Sequence, residues 1–256
     1  MSPESQLNIF GQTVAGSSSE SPLAANFDLI PTINSIPIPP GTYTSIGQLA
    51  THCQVCHRCE LGNTRTNAVV GRGNEKAPIL IIGEGPGQNE DEQGLPFVGR
   101  SGQLLEKILA AVKLSIENDV YICNVVRCRP PENRVPTPAE VAACKPYLLE
   151  QIRLVNPQII LLTGATAVRA ITGKKDGITK IRGTWIEWEG RWCMPIFHPA
   201  YLLRNPAPDV GKPKWLMWQD IQKVRAKLDE TRSPYYESTH SQMPSSGDKD
   251  DRRNQR

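Results

Sequence analysis

The chain of 256 residues contains no apolar run long enough to cross a bilayer, so a membrane-spanning helix is not supported. Its N-terminus has no basic stretch followed by an apolar one; no secretory signal is expected, and the cytoplasm is the expected compartment. Residues 1–45 contain no lysine or arginine, carry only Glu4, Glu20 and Asp28 as charged side chains, and include the Pro- and Ser-rich run "INSIPIPPGTYTS". Such a segment buries little apolar surface and is expected to be a disordered arm. Residues 229–256 lack apolar periodicity and end in "SSGDKDDRRNQR", which reads as a disordered charged tail. An even set of cysteines is also missing. Seven thiols in a cytoplasmic chain argue for ligands or buried free thiols rather than a disulfide framework.

What remains, residues 46–228, reads as one domain with 24 basic and 17 acidic side chains, so the overall charge of +3 conceals a core near +7. That balance suits a polyanionic partner without requiring one.

Hydrophobic patterning gives the architecture. Ile79 to Gly83 is a short continuous apolar run, as a parallel strand buried on both faces would be, and Leu104, Leu105, Ile108, Leu109 and Val112 share one side of the helix after Ser101. "DVYICNVV" (119–126) and "QIILLTG" (158–164) make two more strands. Between them Thr137, Pro138 and Glu140 supply an N-cap, a first-turn proline and a capping-box glutamate for a helix reaching about Leu154. A short helix follows from Ala165, two further strands flank a turn at Glu189–Gly190, and Lys214 to Leu228 forms a closing amphipathic helix. The expected fold is α/β: a three-layer α/β/α sandwich with a mostly parallel central sheet. Ligands of such sheets bind beyond the carboxyl ends of the strands. Gly83-Glu84-Gly85, Asn124 and His198 all fall on that rim.

The strand, glycine-rich loop and helix of residues 79–109 have the layout of a phosphate cradle, yet Glu84, Glu90, Asp91 and Glu92 lie where phosphate oxygens would go. Like charges repel, so something other than a nucleotide phosphate is expected to face this loop. Cys56 and Cys59, two residues apart, are followed by Cys128 and Cys144, and four thiolates from three segments can close a tetrahedral site. Spacing alone admits zinc or an iron-sulfur cluster. Cys53 overlaps the first pair in "CQVCHRC", Cys123 and Cys193 read as buried free thiols, and His52 and His57 as exposed histidines, with a ligand role the alternative.

The runs "CHRCEL", "GEGPGQNEDEQGLPFVGRSGQLL", "NVVRCRPPENR", "EVAACKPYL" and "FHPAYLLRNP", in this order, closely resemble the type-4 uracil-DNA glycosylases, repair enzymes that carry a [4Fe-4S] cluster. The resemblance covers about residues 46–228 and implies excision of uracil from DNA as part of base excision repair. It implies Cys56, Cys59, Cys128 and Cys144 as cluster ligands, with Cys53 left over. It places Glu84 beside the sugar, where a carboxylate suits the positive charge of the transition state, and lets Gly85 bring backbone close to the flipped nucleotide. Phe97 matches the ring on which the base stacks. Asn124 matches the base-reading amide, whose NH2 can donate to uracil O4 while its oxygen accepts from N3–H. Glu90 occupies the position that would crowd a thymine methyl, and His198 matches the donor to uracil O2. Asn133 lies near the phosphate or sugar. Tyr201, Leu202, Leu203 and Arg204 would form a loop entering the minor groove, and Arg127, Arg129, Arg134 and Arg204 are candidate phosphate contacts.

Three positions depart from the family pattern: Cys123, Glu132 and the arm before residue 46, which is a candidate segment for binding repair or replication proteins. A monomer, located with the nucleoid, is the expectation. The competing readings are a glycosylase of broader deaminated-base specificity, a non-catalytic iron-sulfur or zinc protein that binds DNA, and a flavodoxin-like phosphate binder.

Overall fold

The computed structural model describes residues 24–232. The elements run α1 (Ile46–Gln54), β1 (Arg72–Gly73), β2 (Ile79–Gly83), α2 (Gln88–Gln93), α3 (Arg100–Ala111), β3 (Val120–Asn124), α4 (Pro138–Val155), β4 (Ile159–Thr163), α5 (Ala165–Thr172), α6 (Ile178–Ile181), β5 (Ile186–Trp188), β6 (Arg191–Ile196), α7 (Pro199–Arg204) and α8 (Pro213–Thr231). The sheet has the order β1-β3-β2-β4-β6-β5. Its four inner strands are parallel, and β1 and β5 are short antiparallel edges.

The strands β2, β3 and β4 are buried at every residue because both faces are covered. Leu80, Ile82, Tyr121, Cys123, Ile160, Leu162 and Cys193 face one core with residues of α1, α4 and α5. The alternate positions Ile79, Ile81, Val120, Ile122, Ile159, Leu161, Met194 and Ile196 face a second core with α3 and α8. The capping box expected for α4 is present, with the Thr137 side chain accepting from the Glu140 amide. Among the described residues no helix is long and apolar enough to cross a membrane.

The disordered arm expected over residues 1–45 is corrected for its second half. Ile30 and Tyr43 are 1% exposed, and the Arg58 guanidinium donates to the carbonyls of Ile30, Ile33, Ile36 and Asn34 at 2.8–3.2 Å. The Tyr43 hydroxyl also meets His52 Nδ1 at 2.9 Å, so His52 is buried rather than exposed. Scattered apolar residues without periodicity carry no segmental signal, but each finds a separate place on a preformed surface. The rest of that arm lies outside the described residues, as does the tail beyond 232; the last helix continues to Thr231.

Candidate active site

The chain crosses from β2 to β3 on one side and returns to β4 on the other, so the strand order reverses between the carboxyl ends of β2 and β4. A cleft of about 620 Å³ opens there, lined by Glu84, Gly85, Glu90, Phe97, Asn124, Asn133, Arg134, Thr163, Gly164, Ala165, His198 and Arg204 among others. A crevice at such a reversal point is where open α/β sheets bind ligands.

Asn124 is paired with Gly83 across β2 and β3 and is 2% exposed, yet its Oδ1 has no hydrogen-bond partner. A buried amide oxygen left unpaired costs free energy unless a ligand supplies the donor. Gly83 is required here: a Cβ would lie 2.2 Å from that oxygen and 2.7 Å from the Phe97 ring. Phe97 has φ of 55°, a strained region for a bulky residue, and Arg72 holds it there by donating to the carbonyls of Pro96 and Phe97, both at 2.7 Å. Its ring stacks on His198 at 5.6 Å.

His198 is the N-cap of α7, and its Nδ1 accepts from the Ala200 amide at 3.2 Å. That bond leaves the ring's N–H on Nε2. Burial, with help from Arg204 and against Glu90, lowers its pKa to about 4, so the imidazole is neutral at pH 7 and acts as a neutral donor.

The acidic loop resolves into different roles once folded, because residues 88–93 form a helix. The Glu90 carboxylate accepts from the amides of Gly99 (2.8 Å), Val98 (3.0 Å) and Gly87 (3.2 Å), and Asp91 accepts from Thr66 and Asn67. Glu92 is exposed on the helix. Glu84 lines the cleft and accepts from the Thr166 hydroxyl at the start of α5. Thr166 and Arg72 carry no signal in the sequence, since each acts through a neighbour distant in the chain and belongs to no local motif. Gly85 lines the cleft too, and a Cβ there would meet Val126 at 2.9 Å, so packing on Val126 also requires it.

The residues expected to meet DNA divide. Asn133 lines the cleft while its Oδ1 accepts from Arg129 Nε at 2.9 Å. Arg134 makes a two-pronged pair with Glu140 at 2.7 and 2.9 Å, which holds the Glu140 carboxyl down at about 2. Arg127 is corrected: it is 2% exposed and points inward, so it cannot reach a phosphate. The segment expected to enter the minor groove is the helix Pro199–Arg204, and Leu202 alone is corrected. Leu202 is 1% exposed in the core and Tyr201 packs on Phe197 at 5.0 Å, leaving Leu203, 37% exposed, and Arg204 as the outward pair.

Cys56, Cys59, Cys128 and Cys144 line one small cavity behind the cleft, together with Cys53, Arg58, Arg127 and Tyr147. Cys144 Sγ lies 3.6 Å from Arg127 Nη1 and Cys128 Sγ 3.5 Å from Arg65 Nη1. Among the described residues no three His, Cys, Asp or Glu side chains converge closely enough to hold a single metal ion. Cys123 and Cys193 are buried, with burial pushing each thiol up to about 12.

A family model described as the uracil DNA glycosylase superfamily matches residues 70–222. A type-4 uracil-DNA glycosylase of Thermotoga maritima is 49% identical over 173 residues, 67% of this chain and 88% of the relative. The chain belongs to the type-4 uracil-DNA glycosylases. Another type-4 uracil-DNA glycosylase, from Archaeoglobus fulgidus, is 42% identical over 63% of this chain and 85% of its own length. The similarity to a type-5 uracil-DNA glycosylase of Pyrobaculum aerophilum is lower, 33% over 52% of this chain and 66% of the relative. The type-4 branch of the superfamily is therefore the nearer one.

Proposed function

We propose that the chain excises uracil from DNA in base excision repair, hydrolysing the bond between the base and deoxyribose and leaving an abasic site. The observation that carries the reading is the buried, unpaired Oδ1 of Asn124 at the cleft. Uracil offers N3–H to that oxygen and O4 to the amide NH2, whereas cytosine offers the reverse pattern. The flipped base stacks on Phe97, and the Nε2–H of neutral His198 donates to O2 as the departing base takes the electron pair of the broken C1′–N1 bond. A neutral donor gains most as charge grows on O2, which favours the transition state over the ground state. Glu84, held by Thr166, faces the sugar, where its carboxylate stabilises the developing cation and orients the attacking water. Glu90, tied to three backbone amides, holds fixed the wall that a thymine methyl would meet.

Leu203 would fill the vacated stack, and Arg129, Arg134, Arg204 and Asn133 would contact the strand around the lesion. The substrate is uracil-containing DNA, single- or double-stranded, and the enzyme would act on it as a monomer in the cytoplasm at the nucleoid. Cys56, Cys59, Cys128 and Cys144 would hold a [4Fe-4S] cluster, which supplies a rigid cross-link between the N-terminal cysteine motif, the Arg129–Arg134 segment and α4. Support comes from the four thiols, which three separate segments bring to the wall of one cavity. The two guanidinium groups at the sulfurs suit the net negative charge of a thiolate-ligated cluster.

The test is release of uracil from a labelled oligonucleotide containing one uracil, with alkali to break the abasic site and thymine and hypoxanthine oligonucleotides alongside. Cleavage at uracil alone is expected. Failure to cleave by protein retaining its iron would refute the catalytic reading.

A further inference from the structure

Arg127 lines the cysteine cavity and follows closely on the strand that ends in Asn124, and the proposed chemistry does not use it. Its guanidinium is fully buried, but no acceptor it meets is a carboxylate: the Val125 carbonyl at 3.0 Å, the Cys144 carbonyl at 3.5 Å, Cys144 Sγ at 3.6 Å and Gln151 Oε1. Its Nε has no partner, and no carboxylate pairs with it among the described residues. A buried cation in neutral company is strongly unfavourable, so a native site of this kind calls for an anion. The groups close enough to provide one are the thiols of the cavity that Arg127 itself lines. Four thiolates outweigh a dicationic iron-sulfur core, which makes the loaded cavity net negative.

The same side chain also grips the reading strand. Val125, whose carbonyl accepts from Arg127, directly follows Asn124, and its amide donates to Gly83 at 2.9 Å. The next amide, of Val126, donates to the Glu84 carbonyl at 3.2 Å. Gln151, which receives Arg127, donates in turn to the Val70 carbonyl at 2.8 Å. One residue therefore touches the wall of the cysteine cavity and the backbone that sets both Asn124 and Glu84.

We propose that Arg127 is a positioning residue: the internal counter-charge of the loaded cysteine site, through which cluster occupancy is coupled to the base-reading end of β3. This rests on the cluster assignment made above, and wild-type iron content tests that assignment separately.

The experiment compares wild type, Arg127→Met and Arg127→Lys as purified holoproteins. Iron per chain, the rate of visible bleaching under a chelator in air, and the midpoint potential of the cluster are measured for each. Outer-shell partners of metal ligands typically change affinity by 10–100-fold, so Arg127→Met should bleach roughly tenfold faster or more. Its potential should fall, because a positive charge beside the cluster favours the reduced form. Arg127→Lys keeps the charge and should restore the potential more fully than the stability. Hydrogen exchange on wild type supplies a readout that does not depend on either variant folding: removing iron should speed exchange at the amides of Val125 and Val126 far more than at Ile81. Wild-type bleaching and potential in Arg127→Met, or equal exchange at Val125 and Val126 with and without iron, would overturn the proposal. Wild type purified without iron would sink the cluster assignment instead.

Discussion

Asn124→Leu separates recognition from stability. Leucine matches asparagine in shape but offers neither donor nor acceptor, so uracil N3–H and O4 would both enter the cleft unpaired. Each unpaired buried group costs about 1–3 kcal/mol. Together that is about 2–6 kcal/mol, and at 1.36 kcal/mol per decade it lowers kcat/KM on uracil by roughly 30- to 30,000-fold. Stability should move the other way. Wild-type Asn124 buries an amide oxygen without a partner, and replacing it with an apolar group removes that penalty. The variant should therefore melt at the wild-type temperature or a few degrees above it, since 1 kcal/mol corresponds to about 2–4 °C in a domain of this size. The assays are single-turnover excision on a uracil oligonucleotide and thermal unfolding monitored by circular dichroism. Near-wild-type excision would refute base reading by Asn124. Normal chemistry in surviving molecules together with a large drop in melting temperature would show that the amide is structural.

The pH dependence follows from His198, whose pKa lies at about 4 in the folded chain against 6.5 when unfolded. Between those values the unfolded chain binds a proton that the native one refuses, so this contribution to stability is complete above pH 6.5 and declines as pH falls toward 4. Allowing for partial exposure, about 1 kcal/mol of it is lost by pH 5. Urea unfolding of wild type and His198→Ala at pH 7 and pH 5 should show wild type losing more; equal losses would contradict the buried neutral ring. His198→Ala should also cripple excision while leaving DNA affinity nearly intact, as a filter-binding assay can show. Thr166→Ala removes the hydroxyl that orients Glu84 and should lower kcat roughly tenfold with KM little changed, with Thr166→Ser recovering most of it. A KM effect alone would place Thr166 in substrate binding instead. Arg58→Met strips four carbonyls of their donor and should cost about 2–4 kcal/mol of stability, with limited proteolysis cutting first between residues 30 and 45. Undiminished resistance there would show that apolar packing alone holds the segment.

The parallel strands and their order of appearance were legible because both faces of an interior strand must be apolar, and Ile79–Gly83 and Ile159–Thr163 satisfy that without interruption. The α4 start was legible for an equally local reason, since Thr137 and Glu140 accept from each other's amides and Pro138 has no amide left to pair. Glu84, Asn124 and His198 could be placed on one rim because each follows a strand, and the carboxyl ends of parallel strands lie together. Burial and partnership were not legible. Arg127 and Arg129 sit two residues apart in one basic run, yet one points into the cysteine cavity and the other to the surface. Leu202 and Leu203 are neighbours of the same type, and the turn of α7 sends one into the core and the other outward. Glu84, Glu90 and Asp91 have the same charge in sequence; only the fold closes backbone amides around the Glu90 and Asp91 carboxylates while Glu84 meets the Thr166 hydroxyl at the cleft. The sequence by itself determined the strands, the rim and the residue types available for chemistry, because those depend on neighbours along the chain. Tertiary structure decided which charges are neutralised, which donors are left free and which side chains reach solvent, because those depend on groups brought together from distant positions.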